Sequence, residues 1–179
     1  MAIVVCPLSR VGSVAASRRP SRVVSLLDPH TPFPTAHEVP AERHLKIEVH
    51  DIIEPEPGSV IPSRSHVDQV LAFVSDWDRE APMLIHCYAG ISRSTATAFI
   101  TACVHNPQTD EEEIAWALRR ASATAHPNGR LVGLADAALG RGGRMSRAIA
   151  AIGRGSHSWY ELTEDIQPFE LPSRFGEGA

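Results

Sequence analysis

The 179-residue chain is short of several things. It has no apolar run approaching the ~20 residues that span a bilayer, so no membrane span is expected. It has no excess of basic residues: 17 Lys and Arg against 21 Asp and Glu give a net charge of −4. That balance argues against nucleic acid or an anionic membrane surface as the main partner. It has only three cysteines, Cys6, Cys87 and Cys103, an odd number without CxxC spacing. Free thiols in a reducing cytoplasm suit that pattern better than a disulfide scaffold. The opening "MAIVVCPLSR" lacks a basic region and has too short an apolar run for a signal peptide. No internal repeat is visible. Of the nine histidines, His30, His37, His44 and His50 lack the spacing of metal-ligand pairs, so no metal is expected and loop or surface positions are.

What is present is ordinary for one soluble domain: 43% hydrophobic and 21% charged residues. "AIVVC" (2–6) and "RVVSLL" (22–27) are short apolar runs of strand length. "HLKIEVHD" (44–51) alternates Leu45, Ile47 and Val49 with polar residues, which predicts a strand through Asp51. Proline-rich loops lie on both sides of it, at 28–43 and 52–63. Val67, Val70, Leu71, Val74 and Trp77 recur at helical spacing across 65–77, with Ser65 and Asp68 as a capping pair. "APMLIHC" (81–87) is again a strand, and "SRSTATAFITACVH" (92–105) a buried helix of small and apolar residues. Thr109 with Glu112 makes a capping box before "EEEIAWALRRAS", and two short helices follow, with Trp77 and Trp116 at core-facing positions. Arg141, Arg144, Arg147 and Arg154 are expected on a solvated face.

Strands alternating with helices predict an α/β fold: a single, mostly parallel central sheet with helices on both faces. The domain is expected over 1–155, with 156–179 an acidic tail, extended or disordered.

The chemistry concentrates in "LIHCYAGISRS" (84–94). A strand ends at Cys87, the chain turns through Gly90, and a helix begins near Arg93. Amides at such a turn and at the helix start lack intrahelical partners and form an anion cradle. Arg93 adds a planar fork that grips two oxygens of a phosphate. The same amides and charge favour a thiolate at Cys87. A thiolate in an anion cradle beside an arginine is equipment for attack on phosphorus.

"HCYAGISRS" resembles the HCxxGxxR[ST] signature loop of the cysteine-based protein phosphatases, with surroundings like the tyrosine and dual-specificity branch. Asp51 upstream and "HPNG" downstream extend the resemblance over about residues 1–140. It implies a protein tyrosine phosphatase-like fold. It also implies Cys87 as nucleophile, Arg93 as phosphoryl clamp, and Ser94 as hydrogen-bond donor to the thiolate. The amides of Tyr88, Ala89, Gly90, Ile91, Ser92 and Arg93 would bind phosphate. His86 would orient the loop, and no cofactor or metal would be needed. An acid for the leaving group is implied just past an upstream strand, where Asp51 stands. Asp51 lies 36 positions before Cys87, farther than is usual in the family, so Glu54 and Glu56 stay open beside it. Substrates would be phosphotyrosine on proteins, with phosphoserine and phosphothreonine as further candidates. Phosphoinositides, small phosphate esters, or phosphate binding without turnover are the alternatives. Cys6 and Cys103 are expected in the core, with Cys6 a minor candidate to resolve an oxidised Cys87.

Overall fold

The computed structural model describes residues 1–35, 39–156 and 166–176. Five strands form one sheet in the order β3-β2-β4-β1-β5. They are β1 (Ala2–Pro7), β2 (Arg22–Leu27), β3 (His44–Glu48), β4 (Met83–Cys87) and β5 (Phe169–Pro172). The first four run parallel, and β5 pairs antiparallel with β1 at the edge. Six α-helices surround the sheet among the described residues: α1 (Val11–Arg18), α2 (Arg64–Ser75), α3 (Arg93–His105), α4 (Glu111–Ala121), α5 (Gly129–Ala138) and α6 (Arg144–Ala151). Among the described residues, no helix is long and apolar enough to cross a membrane.

The two faces of the sheet are unequal. One packs Ile3, Val5, Val24, Leu26, Met83 and Ile85 against the larger core. The other packs Val4, Cys6, Val23 and Leu84 against Val11 and Val14 of α1. That alternation along each strand is why β1, β2 and β4 appear in the sequence as unbroken apolar runs: both faces are covered. The predicted α/β architecture is therefore observed, together with two elements that the sequence reading did not assign. One is α1, whose eight residues VGSVAASR bury only two valines. The other is β5, inside the stretch expected as an extended or disordered tail.

Several boundaries are corrected. β3 stops at Glu48 rather than Asp51. Val49 N still donates to Leu27 O of β2, but the next amide, His50 N, turns to Val60 O in the following loop. Helix α2 is entered at Ser63, not Ser65, and the Ser63 amide donates to His66 Nδ1 at 3.2 Å. Helix α4 is capped by Asp110, whose Oδ1 accepts from Glu112 N at 2.9 Å, rather than by Thr109. Trp77 is buried, but Trp116 is 41% exposed, its indole over Glu112.

Helix α3 is buried from Arg93 through Cys103 and carries three threonines that would otherwise disfavour a helix. Each hydroxyl donates to a carbonyl one turn back: Thr95 to Ile91 O, Thr97 to Arg93 O at 2.9 Å, and Thr101 to Thr97 O at 2.8 Å. The polar cost of burying them is thereby removed, and their small volume lets the helix lie close to the sheet. Helices α4 and α6 are tied by Glu111, whose oxygens accept from Arg141 Nη1 at 2.9 Å and Arg144 Nε at 3.0 Å. Arg141 is thus buried, not on a solvated face, and also donates to Cys103 O.

Removing one partner of a buried ion pair leaves the other charge uncompensated. Glu111→Ala is expected to lower stability by roughly 3 kcal/mol, seen as a reduced urea midpoint with an unchanged m-value. A midpoint equal to wild type would show that the pair contributes nothing.

Candidate active site

The site forms at the carboxyl ends of β1, β2, β3 and β4, where open α/β sheets place their ligands. Cys87 is the last residue of β4, and the loop 88–92 carries the chain into α3. Three carbonyls of this loop are engaged from outside. Leu8 N donates to Tyr88 O at 3.0 Å, His126 N to Ile91 O at 2.9 Å, and Asn128 N to Ser92 O at 3.3 Å. With these carbonyls held from outside, Gly90 N donates to Cys87 Sγ at 3.3 Å. Gly90 has φ +75°, and a Cβ there would stand 2.8 Å from Pro7 N and 2.9 Å from Cys6 C. Only glycine satisfies both the left-handed angle and the close approach to β1.

Cys87 is 2% exposed and its sulfur lies 3.1 Å from Ser94 Oγ, in the first turn of α3. Arg93 is also buried. Its Nη1 donates to Asp28 Oδ1 at 2.8 Å and to Val49 O at 2.6 Å, while Nε is buried without a partner among the described residues. One side of the guanidinium is therefore fixed by the ends of β2 and β3. The Nε side is left as a buried donor with nothing to donate to, an arrangement that suits an oxyanion. Asp28 was not singled out in the sequence; the only signal was an acidic residue directly after a strand.

Asp51 meets the signature loop from a loop of its own rather than from a strand end. Its Oδ1 accepts from Ser92 Oγ at 2.7 Å and from Asn128 Nδ2 at 2.8 Å. Asn128 also caps α5, its Oδ1 accepting from Arg130 N and Leu131 N. The loop after Asp51 is closed by His50 Nδ1 accepting from Val60 N at 2.8 Å. Arg130 clamps it to α5 through Pro62 O at 2.7 Å and Ile53 O at 3.3 Å. Glu54 and Glu56 are exposed further along this loop. Tyr88 projects outward, 66% exposed, while Ala89 and Ser92 are part-buried and Ile91 is buried.

His86 is fully buried, and its Nε2 lies 2.5 Å from Ser25 Oγ. Burial pushes its imidazole down to about 4, partly offset by the Cys87 backbone, with His44 lowering it further. His44, expected on a surface or in a loop, stands at the start of β3 with Nε2 2.7 Å from Ser25 Oγ, and burial and Lys46 push it down to about 4 as well. His37 lies outside the described residues. Burial, with the Cys87 charge adding, pushes the Cys6 thiol up to about 12. Cys6 packs on the α1 face with Val4 and Leu84, whereas Cys87 belongs to the larger core on the opposite face. The two thiols therefore point apart, and the fold does not bring Cys6 into place to resolve Cys87. Burial raises the Cys103 thiol too. All three cysteines are free. Among the described residues, no three His, Cys, Asp or Glu side chains are grouped to hold a metal ion.

No family model matches the chain, and no curated protein sequence matches it. Solved structures do. DUSP15 superposes with a TM-score of 0.60 at 16% identity, over 82% of this chain and 89% of that one. Human DUSP28 gives 0.57 at 17%, over 76% and 93%. The PTP-2 phosphatase of Cydia pomonella gives 0.56 at 22%, over 74% and 83%. The chain thus has the α/β fold of the dual-specificity and tyrosine phosphatases, and at these identities the likeness is one of fold.

Two expectations follow from this geometry. Gly90→Ala meets backbone rather than a movable side chain, so the loop must shift. It should lose roughly 1–3 kcal/mol of stability and any chemistry at Cys87. A crystal structure of that variant with an unmoved loop would contradict the packing described. The second concerns acid. Folded His86 and His44 stay neutral down to about pH 4, while unfolded histidines protonate near 6.5. The unfolded chain therefore binds more protons in that window, and stability falls as pH drops from about 6.5 to about 4, by a few kcal/mol at most. Half-buried His44 supplies the smaller share. Urea midpoints between pH 7 and pH 4 should show the fall, and His44→Phe should make it shallower. An identical slope in the variant would remove His44 from the account.

Proposed function

We propose that this protein is a metal-independent phosphatase that hydrolyses phosphomonoesters through a phosphocysteine at Cys87. The observation that carries the reading is the pairing of two buried groups. Cys87 Sγ is held by Ser94 Oγ and the Gly90 amide, and Arg93 beside it keeps Nε unpaired. A guanidinium donor left over beside the sulfur, with the Gly90 amide turned toward that sulfur, is a preorganised charge complement for phosphoryl oxygens.

The chemistry proceeds in two displacements. Cys87 thiolate attacks phosphorus, the P–O ester bond breaks in line, and the phosphoryl group is transferred to sulfur. The leaving oxygen takes a proton from Asp51. Since Asp51 Oδ1 already accepts from Ser92 and Asn128, the proton sits on Oδ2. A water then attacks the phosphocysteine and gives its proton to Asp51. The P–S bond breaks, and the departing thiolate receives a hydrogen bond from Ser94. Asp51 is favoured over Glu54 and Glu56 because it alone is bonded to the signature loop.

Protein phosphomonoesters fit better than polyphosphorylated head groups. The loop that borders the site, DIIEPEPGSV (51–60), has three carboxylates and no basic residue. Phosphotyrosine is the first substrate to test, with phosphoserine and phosphothreonine beside it. The free thiols suit a reducing, cytoplasmic setting.

Cys87→Ser should fold, bind vanadate and show no turnover; retained hydrolysis would sink the covalent route. Arg93→Lys should be nearly inactive, since an ammonium does not span two oxygens. Asp51→Asn should slow phosphotyrosine peptide cleavage about 10²-fold or more, and para-nitrophenyl phosphate far less, because nitrophenolate leaves without a proton. If Glu54→Gln or Glu56→Gln shows that leaving-group dependence instead, the acid is misassigned. Near pH 6, iodoacetate should alkylate Cys87 well ahead of Cys6 and Cys103; equal labelling would count against the cradle.

A further inference from the structure

Three polar side chains cross the sheet in a row beneath the signature loop. His44 stands at the start of edge strand β3, Ser25 on β2, and His86 on β4. Ser25 lies directly opposite His86 in the strand register, and both are fully buried. Ser25 Oγ is 2.5 Å from His86 Nε2 and 2.7 Å from His44 Nε2.

One hydroxyl carries one hydrogen, so Ser25 does not donate to both rings. When it donates to one, it accepts from the other, and the two imidazoles then hold opposite tautomers. The direction of the row follows from the far side of His86. Its Nδ1 is buried and closes no hydrogen bond, yet the Cys87 backbone beside it favours the protonated ring. Nε2 is taken up by Ser25 at 2.5 Å, so a backbone acceptor at Cys87 would be met by a hydrogen on Nδ1. His86 Nε2 then accepts from the Ser25 hydroxyl, whose oxygen accepts from His44 Nε2–H.

We propose that His44, acting through Ser25, is a positioning residue for the nucleophile: the two hold His86 in its Nδ1–H tautomer with that N–H directed at the Cys87 backbone. Neither residue touches a reacting atom. Their influence passes through the imidazole to the peptide group of Cys87, and so to the set of the loop around the sulfur. Lys46 is the charged group that faces His44. The inference rests on the reading of Cys87 as a thiolate nucleophile. A purely structural row, filling hydrogen-bond needs and nothing more, would change stability on mutation but leave the loop's chemistry alone.

The test follows histidine ring nitrogens by ¹⁵N NMR, and the rate of Cys87 alkylation by iodoacetate at pH 6, in the intact protein. The variants are Ser25→Ala, Ser25→Thr and His44→Phe. Wild type should show His86 protonated at Nδ1. With His44→Phe the hydroxyl is free to turn, and with Ser25→Ala it is gone. In each, His86 should populate both tautomers and alkylation should slow at least about threefold. Ser25→Thr, which restores a hydroxyl, should restore both signals. A wild-type His86 protonated at Nε2 overturns the proposal. So do an unchanged tautomer and alkylation rate in His44→Phe, a half-buried site where folding is retained even if Ser25→Ala fails to fold. Neither readout requires turnover, so a protein that hydrolyses no phosphate ester would defeat the functional reading and leave this one open to its own result.

Discussion

A guanidinium buried at the carboxyl end of the sheet organises the site. Arg93 is 4% exposed, and a cation so placed must be compensated. Its compensation comes from two different strand ends, the Asp28 carboxylate after β2 and the Val49 carbonyl after β3. Both contacts use Nη1, so they fix the plane of the group and leave Nε without a partner. Burial, pairing on one side and an open donor on the other are one arrangement, and the first turn of α3 must sit where it does to make it. The same turn places Ser94 against Cys87. The sheet therefore holds the arginine, and the arginine's helix sets the environment of the sulfur.

The second support is the close passage of Gly90 over the end of β1. The loop is pinned there, by the amide of Leu8, and by the segment 126–128, which meets Ile91 and Ser92 with its own amides. That segment also supplies Asn128, which caps α5, fixes Asp51 and so connects that carboxylate to the loop after Cys87. Arg130, two residues on, clamps the rest of the loop that follows Asp51. Residues far apart in the chain are brought to bear on a few atoms, Asp51 through the side chains of Ser92 and Asn128, and Arg130 through backbone carbonyls.

This explains what was legible in the sequence. Cys87, Gly90, Arg93 and Ser94 lie within eight residues, and a strand-to-helix turn imposes its chemistry locally, so they could be picked out together. β1, β2 and β4 were legible because burial on both faces leaves uninterrupted apolar runs. Asp28 and Val49 were not, because they meet Arg93 across 65 and 44 positions and only the register of the sheet brings them there. The end of β3 was misplaced for a related reason: Val49 continues the alternation, but the amide after it bonds the next loop rather than β2. β5 has four residues, one of them proline, and owes its strand state to the open edge of β1. His44 was legible as the first residue of a strand but not as a hydrogen-bonding partner, because Ser25 is 19 positions away.

The central claim is that phosphorus is transferred to one sulfur. Rapid-quench mass spectrometry during turnover of a phosphotyrosine peptide, followed by peptide mapping, tests it most directly. The account predicts a transient adduct with the mass of one phosphoryl group on the peptide containing Cys87, and its accumulation in Asp51→Asn when para-nitrophenyl phosphate, whose leaving group needs no proton, replaces the peptide. Hydrolysis at full rate with no adduct on that peptide, or with the adduct on another side chain, would contradict it.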